Sequence, residues 1–296
     1  MKCHLRFIAA ILLCYAFPVT SPAQQNVPVD ITLDRDGILL KGKFYKADCE
    51  GLCPALLLLP GMPGNETDVI GLGKRLAPTG VHVMMINFSG THQSQGLWGY
   101  MNAQADIAAA REFLYDPANA DRFGIDTASI FLGGYSYGGG MAMTYAIKHP
   151  EIKRIISIAG NDWGEHFEDY VHNPGLKAAI DGIVERAVSS GIVRPGTGER
   201  PEELLENGTG NLDPALYLKE NAEVLARKEI LLISGWDDAG VSIDRYVLPL
   251  YRALQKENAQ DISMVAFQDD HSFRNSRDQI ARVIRDWIGQ IQTSDE

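Results

Sequence analysis

Cysteine is scarce in this sequence, and its histidines are scattered. The 296 residues include four cysteines and seven histidines. No Cys-x-x-Cys occurs, and neither a His-x-x-x-His pattern nor a Cys/His cluster is present. The sequence therefore predicts no metal centre, and it disfavours a dithiol redox site.

Positive charge is also in short supply. The chain has 27 lysines and arginines against 38 aspartates and glutamates, a formal net charge of −11. This imbalance argues against nucleic acid or an anionic membrane as a partner. Internal repeats and low-complexity tracts are lacking as well, and no long stretch is without apolar residues, so the sequence indicates a packed globular protein.

The first 23 residues lack the length of a membrane anchor. The apolar run at 7–17 has eleven residues, fewer than the roughly 20 that a transmembrane helix needs. Two basic residues precede this run, and Ser21 and Ala23 occupy the small-residue positions of a cleavage site. This pattern predicts a secretory signal peptide over 1–23 and a secreted or periplasmic protein.

An alternative for this segment is lipid attachment at Cys14. The preceding Leu13 is larger than the small residue normally found there, which disfavours a lipoprotein. Without residues 1–23 the chain keeps 25 basic and 38 acidic residues, a formal charge of −13. We therefore expect a single domain over 24–296 with no membrane anchor.

Two cysteines remain after the predicted leader. Cys49 and Cys53 are separated by Glu-Gly-Leu. They are free thiols or a disulfide, and a secreted context favours the disulfide. The spacing is too long for a straight strand, but Gly51 permits a turn that brings the two sulfurs together.

Apolar runs and helical patterns alternate through most of the chain. An Asp-Gly pair at 36–37 predicts a hairpin between the first two runs. The later runs are continuously apolar, as in strands buried on both faces. The alternation predicts an α/β fold, a mostly parallel sheet of about eight strands with helices on both faces. The predicted strands are 29–33, 38–45, 55–59, 81–86, 129–132, 155–159, 230–234 and 262–267, and the predicted helices are 66–79, 101–115, 137–149, 243–257 and 275–292.

Residues 161–228 interrupt this alternation. Apolar residues from Leu176 to Val188 recur at helical spacing, and a Pro/Gly-rich stretch follows at 194–201. A further helix is expected over 214–226. The segment is too small for a separate domain, so the sequence predicts a helical insertion that covers the edge of the sheet as a lid.

A Gly-Tyr-Ser-Tyr-Gly sequence lies at 134–138, between a predicted strand and a predicted helix. A flexible glycine-rich turn is one interpretation. The other is a nucleophile elbow, in which Ser136 adopts strained dihedral angles and the glycines give its neighbours room. The strand-to-helix context favours the elbow.

Suitable partners for a serine nucleophile follow later in the chain. Asp237 and Asp238 come directly after one predicted strand, and His271 follows the next. Because the carboxyl ends of parallel strands share one edge of a sheet, these side chains could meet Ser136. The other histidines lie in the leader, in a strand, before the serine, at the end of a helix or in the insertion. His271 is therefore the candidate base.

These motifs resemble the α/β-hydrolase fold superfamily, over about residues 50–293. Residues 60–64 resemble its oxyanion loop, with Pro60 where histidine is common, and 87–96 resemble its Arg-Gly-x-Gly-x-Ser-x-Gly loop, with Ser89 in place of arginine. Residues 235–241 and 270–273 resemble its acid and histidine loops. The likeness is nearest to the dienelactone-hydrolase-like and prolyl-oligopeptidase-like branches.

The resemblance implies roles for five residues. Ser136 would be the nucleophile, His271 the base, and Asp238, in preference to Asp237, the acid that orients His271. The backbone N–H groups of Met62 and Tyr137 would form the oxyanion hole. No cofactor is implied, because this chemistry needs neither metal nor nucleotide.

The function expected from these roles is a secreted serine hydrolase that acts on a small-molecule carboxylic ester. A serine peptidase or aminopeptidase of the same fold is the alternative, and Ser89 in place of arginine weakens it. A non-enzymatic binding protein is less favoured, since no member of the triad is missing. Trp163 is a candidate wall of the substrate pocket, with ordinary packing as its equal alternative; the oligomeric state is not determined by the sequence.

Overall fold

The computed structural model describes residues 27–64, 68–197 and 212–294. Eight strands form one sheet in the order β1-β2-β4-β3-β5-β6-β7-β8. Strands β1 and β2 run antiparallel to their neighbours, and all later pairings are parallel. The strands are β1 Val29–Arg35, β2 Ile38–Tyr45, β3 Cys53–Leu59, β4 His82–Ile86, β5 Ile125–Tyr135, β6 Arg154–Ile158, β7 Glu229–Gly235 and β8 Ile262–Phe267.

Helices connect these strands and cover the sheet. Every residue of β3 and β4 is buried, as the continuous apolar sequence of these strands predicts for a sheet with both faces covered. The α-helices are α1 Leu72–Leu76, α2 Tyr100–Tyr115, α3 Pro117–Phe123, α4 Tyr137–Lys148, α5 Trp163–His172, α6 Pro174–Ser189, α7 Ala222–Leu225, α8 Leu248–Lys256 and α9 Arg277–Ser294. Short 3₁₀ turns form at Ala77–Thr79 and Pro214–Leu216, and a π turn at Ile243–Val247 precedes α8.

The prediction of one helix over 214–226 is wrong. Tyr217 has non-helical dihedral angles (φ −87°, ψ 88°), and the 3₁₀ turn ends there. The side-chain amide of Asn221 donates hydrogen bonds to the carbonyls of Pro214 and Tyr217, both 2.8 Å away. These bonds compete with the backbone pattern of a continuous helix. Only α7, from Ala222 to Leu225, is helical in the rest of the predicted range.

Two further helices differ from the sequence-based prediction. The helix expected over 66–79 begins only at Leu72, because Ile70 and Gly71 have positive φ values of 43° and 75° that no α-helix accommodates. Helix α3 was not predicted, although its signals are present. Asp116 caps its first turn by accepting a hydrogen bond from the Asn119 N–H, and Gly124 ends it with a left-handed φ of 74°.

The predicted disulfide is confirmed, since Cys49 and Cys53 are joined with their Cα atoms 6.7 Å apart. Gly51 between them has a φ of 80°, the turn conformation that favours glycine. The predicted leader, 1–23, lies outside the described residues and stays a prediction. Within the described part of the chain, no helix is both long and apolar enough to span a membrane.

A buried carboxylate fixes the loop that follows β4. Asp106 of α2 has no exposed surface, and its Oδ2 accepts hydrogen bonds from the N–H and Oγ of Ser89 at 2.7 and 2.8 Å. The Nε of Arg35 lies 2.8 Å from the other carboxylate oxygen. Burial raises the pKa of Asp106, and the contacts with Ser89 and Arg35 oppose that effect. Ser89, which stands where arginine was expected, is thus tied into a structural cluster.

We expect Asp106→Ala to lower the free energy of unfolding by about 3–5 kcal/mol, because it leaves the largely buried Arg35 charge without its carboxylate. Asp30→Ala is the matched control. Asp30 forms an ion pair with Lys43 but is 82% exposed, so its loss should lower stability by less than about 1 kcal/mol. Urea unfolding measures both. Equal effects of the two variants would contradict the structural role of the cluster.

Candidate active site

Ser136 lies at the tight turn between β5 and α4. Its φ of 53° and ψ of −117° fall outside the regions that side chains normally occupy, as the elbow interpretation predicts. The turn is held from both sides. The Ser136 N–H donates to the carbonyl of Ile158 at 2.8 Å, and its own carbonyl accepts from the N–H groups of Gly139 and Gly140.

Two glycines of the motif are required by close packing. A Cβ on Gly134 would lie 2.2 Å from the carbonyl group of Gly138, and a Cβ on Gly138 would lie 2.5 Å from the carbonyl oxygen of Leu59 in β3. Neither neighbour can move away, because each is backbone. The motif is therefore explained by steric contact, which leaves Ser136 as the side chain presented by the turn.

The structure brings Ser136, His271 and Asp238 into one hydrogen-bonded series. Ser136 Oγ lies 2.9 Å from His271 Nε2, and His271 Nδ1 lies 2.7 Å from Asp238 Oδ2. Each residue follows the carboxyl end of a strand: β5, β8 and β7, respectively. Asp238 accepts a hydrogen bond from the Nδ1–H of His271, which leaves Nε2 as an acceptor for the Ser136 hydroxyl.

The two neighbouring aspartates differ in their surroundings. Asp238 is buried, and its Oδ1 accepts hydrogen bonds from the N–H groups of Gly240 and Val241 at 2.9 and 2.8 Å. Asp237 is exposed and accepts a hydrogen bond from Gln268 at 2.8 Å. Asp238 is thus the carboxylate of the pair that reaches His271, the one that the sequence favours.

Tyr135 holds the loop that carries His271, a contribution that the sequence did not reveal. Its hydroxyl donates a 2.7 Å hydrogen bond to the carbonyl oxygen of His271, and the two rings lie 5.2 Å apart. The only signal in the sequence was an aromatic residue directly before the nucleophile. Burial raises the pKa of Tyr135 to about 12, so its hydroxyl stays protonated and can donate this bond at neutral pH.

The residues predicted for the oxyanion hole lie beside Ser136. Met62 and Tyr137 line the same cleft as Ser136 and His271. The loop that carries Met62 is packed closely against the elbow, since a Cβ on Gly61 would lie 3.0 Å from the Tyr135 ring and 3.2 Å from Ser136 Cβ. Donation by the two backbone N–H groups stays a prediction.

The cleft next to Ser136 has a volume of about 560 Å³. Aromatic rings line one part of it, and the apolar face of α6 lines another. Trp163, the candidate pocket wall, is among the lining residues. The aromatic residues are Trp98, Tyr100, Tyr137, Trp163 and Tyr170, and the apolar residues of α6 are Leu176, Ala179, Ile180, Ile183, Val184 and Val188.

His166 of α5 also lines the cleft, although the sequence gave no reason to select it. Its Nδ1 lies 3.3 Å from the hydroxyl of Tyr246, and that hydroxyl lies 2.7 Å from Asp169 Oδ2. Arg245 binds both oxygens of Asp169, at 2.8 and 2.9 Å. Hydrogen bonds from Arg245 hold the pKa of Asp169 below its usual range, whereas burial lowers the pKa of His166 to about 4.

One group of the described residues has the composition of a metal site. Cys49, Cys53 and His82 place their ligand atoms within 4.8 Å of one another. The two sulfurs are joined in the disulfide, and His82 accepts from the Ala47 N–H at Nδ1 and contacts the carbonyl of Gly124 at Nε2. These atoms are therefore engaged with each other and with the backbone, and the arrangement does not fit a metal.

The low pKa of His166 predicts a pH dependence of stability. The unfolded chain binds a proton at this residue near pH 6.5, but the folded chain does so only near pH 4. Stability from this group is therefore complete above pH 6.5 and is lost as the pH falls toward 4. We expect wild type to lose roughly 2–3 kcal/mol more than His166→Gln between pH 7 and pH 4.5, measured by urea unfolding.

The difference between wild type and His166→Gln excludes the contribution of Asp162, which changes stability with pH in the opposite direction and is the same in both proteins. Burial raises the pKa of Asp162 to about 6, so that residue favours the folded state as the pH falls. A nuclear magnetic resonance titration of the His166 ring is the direct measurement. A titration midpoint near pH 6.5 would show that the His166 ring is hydrated, and it would contradict the predicted pH dependence.

Comparison with known proteins agrees with this fold. A family model described as the alpha/beta hydrolase fold matches residues 54–176. Cutinase est2 of Thermobifida alba is 30% identical over 105 residues, which cover 35% of this chain and 33% of that protein. Cutinase 2 of Thermobifida cellulosilytica is also 30% identical over 105 residues, which cover 35% of this chain and 38% of that protein. The chain thus spans about a third of the length of the curated relatives it matches.

Solved structures share the fold over most of the chain. Est1E from Butyrivibrio proteoclasticus is similar with a TM-score of 0.60 and 16% identity, over 88% of this chain and 98% of that one. An acylaminoacyl peptidase of Pyrococcus horikoshii also gives 0.60, with 17% identity, over 90% of this chain and 42% of that one. The sheet order, the elbow, the family match and these structures lead to one conclusion: the chain has the α/β-hydrolase fold.

Proposed function

We propose that the protein is a serine hydrolase that cleaves carboxylic esters of small molecules through a covalent acyl-enzyme intermediate. The observation that carries the proposal is the hydrogen-bonded series from Ser136 through His271 to Asp238 on the strained elbow. Names of similar proteins support the ester as the substrate: cutinases among the curated relatives and an esterase of Pyrococcus furiosus among the solved structures.

The first half of the reaction acylates Ser136. Its Oγ attacks the acyl carbon while its proton moves to His271 Nε2, and Asp238 stabilises the imidazolium that forms. The backbone N–H groups of Met62 and Tyr137 would hold the oxyanion. His271 then gives the proton to the departing alcohol. In the second half, His271 takes a proton from water as the water oxygen attacks the acyl carbon. His271 then returns this proton to Ser136 Oγ as the acyl–Oγ bond breaks, which releases the carboxylic acid and restores the serine.

The same residues could cleave an amide, so a substrate comparison separates esterase from peptidase. The apolar, aromatic lining of the cleft favours an uncharged acyl group over the charged terminus of a peptide. Turnover of nitrophenyl esters without turnover of aminoacyl anilides is the expected result. Faster cleavage of the anilides would assign the protein to the peptidases instead.

We further propose that helices α5 and α6 form a lid over the acyl site. The apolar face of α6 lines the cleft, and on that face Ile183 and Val188 keep 43% and 37% of their surface exposed. A helix that only supported the fold would bury this face in the core. The open apolar face is available to an acyl chain.

Replacement of the nucleophile tests the proposed chemistry. Ser136→Ala should reduce hydrolysis of an activated ester by roughly four orders of magnitude or more, because the nucleophile and its base act as a unit. The folded state should persist, since the change removes one oxygen atom. Steady-state kinetics measure the loss, and labelling by a fluorophosphonate should disappear with it. Retention of most activity in the folded variant would refute the mechanism.

The adjacent aspartates give the matched control. Asp238→Asn should lower kcat by about a hundredfold or more relative to Asp237→Asn, because only Asp238 contacts His271. Both changes replace one oxygen by nitrogen in the same loop. If Asp237→Asn proves to be the inactive variant, the acid of the triad has been assigned wrongly.

A polar substitution on α6 tests the lid. Ile183→Asn should lower kcat/KM for an octanoyl ester by about fivefold relative to an acetyl ester, because it removes apolar surface that the longer chain would contact. Ala178→Asn is the control, at an exposed position of the same helix. Thermal unfolding of both variants measures the effect on stability. A uniform loss on all esters that follows the loss of stability would assign the helix to support of the fold.

A further inference from the structure

His166 is a polar side chain in a largely apolar and aromatic part of the cleft. It is only 6% exposed, yet it is one of the residues that line the cavity shared with Ser136. Its ring packs edge to face on Trp163, with the centroids 5.3 Å apart and the planes at 89°. An apolar side chain would fill this position with a smaller desolvation penalty, so the buried imidazole calls for an explanation.

The hydrogen bonds of Tyr246 determine which ring nitrogen carries the proton. Asp169 is held ionised by Arg245 and can only accept hydrogen bonds, so the Tyr246 hydroxyl donates its proton to Asp169. The Tyr246 oxygen is then left to accept, and its partner is His166 Nδ1 at 3.3 Å. Nδ1 therefore carries the hydrogen, and Nε2 keeps its lone pair.

The ring is fixed in this form. With a pKa near 4, His166 is neutral at physiological pH, so it does not attract an anion. Its Nδ1 is used by Tyr246, and Nε2 is the one polar atom of the ring left for a molecule in the cleft. A buried acceptor of this kind favours a ligand that brings a hydrogen-bond donor and disfavours one that leaves it unpaired.

One of the carboxylates that line the cleft is engaged within the protein. The carboxylate of Asp181 accepts a hydrogen bond from the hydroxyl of Tyr170 and pairs with Lys177 at 3.3 Å. The aromatic rings of Trp98, Tyr100 and Trp163 offer flat faces and edges to a ligand. The combination suits a planar apolar group that carries one neutral donor.

We propose that His166 is a specificity-determining residue, whose Nε2 accepts a hydrogen bond from a hydroxyl on the acyl group of the substrate. The favoured class is an ester of a hydroxyaryl acid. The inference rests on the proposed ester hydrolysis and adds to it the chemistry of the acyl group. His166 takes no part in bond cleavage, and it acts by discriminating between substrates with and without the donor.

A matched pair of substrates tests the inference. Methyl 4-hydroxycinnamate and methyl cinnamate differ by one hydroxyl, which stays protonated at pH 7. We expect wild type to favour the hydroxylated ester in kcat/KM by roughly fivefold to tenfold, the range for one neutral hydrogen bond. His166→Phe should bring the ratio of the two kcat/KM values close to one. His166→Gln, which retains a carbonyl acceptor near the position of Nε2, should restore part of the preference.

His172→Phe is the control, because His172 is an exposed histidine of the same helix, and it should keep the wild-type ratio. Tyr246→Phe should also lower the ratio, since it removes the acceptor that fixes the Nδ1–H form. If His166→Phe slows both esters equally, the residue only supports the fold. Equal kcat/KM values of the wild type for the two esters would also overturn the inference.

A binding measurement separates failure of this inference from failure of the proposed function. Ser136→Ala, with and without His166→Phe, is titrated with 4-hydroxycinnamate and with cinnamate in a calorimeter. Tighter binding of the hydroxylated acid that depends on His166 supports the inference, even if wild type hydrolyses neither ester. Failure to hydrolyse both esters would count only against esterase activity on this class of substrate. Equal affinities for the two acids in the presence of His166 would refute it.

Discussion

The close approach of the elbow to strand β3 is the constraint on which the site depends. The turn at Ser136 brings Gly138 so near the carbonyl of Leu59 that a single methyl group would not fit. This contact, with the hydrogen bond from Ser136 to Ile158, fixes the strained backbone at the nucleophile. The sheet supplies the rigidity: β3 is fully buried, and β5 pairs with it in parallel, so the strain at Ser136 is supported by the core of the domain.

Three carboxylates around the site determine how the neighbouring polar groups form hydrogen bonds. Asp238 is enclosed by the N–H groups of its own loop and directs its remaining oxygen to His271. Asp106 does the same for the loop after β4 by binding Ser89. Asp169 is the third carboxylate, and it fixes the hydroxyl of Tyr246 by accepting its hydrogen bond. In each case a carboxylate, which can only accept hydrogen bonds, determines the direction of every bond in its group.

The apolar face of α6 links the fold to the proposed function. Its sequence has the spacing of a core helix, but its apolar residues line the cleft and several remain exposed. Periodicity shows that such a face must meet an apolar surface, and it does not distinguish a protein core from a ligand. The same limit applies to His166, where spacing along the chain gives no sign of burial against Trp163 and Tyr246.

The sequence by itself determined the α/β architecture, all eight strands to within a few residues and the hairpin at 36–37, because periodicity and turn chemistry are local properties. It favoured the Cys49–Cys53 disulfide over free thiols, and the structure contains the bond. It also selected Ser136 and His271, because glycine spacing and position after a strand are visible in one dimension, whereas the choice of Asp238 over Asp237 came from the resemblance to the family's acid loop. It failed at 214–226, where the side chain of Asn221 competes with the helix, and it missed α3. Only the tertiary structure decided that Tyr135 holds the His271 loop, that Ser89 serves Asp106 and that His166 enters the cleft. Those contacts join residues up to 136 positions apart in the chain, and such contacts depend on how the elements pack in three dimensions.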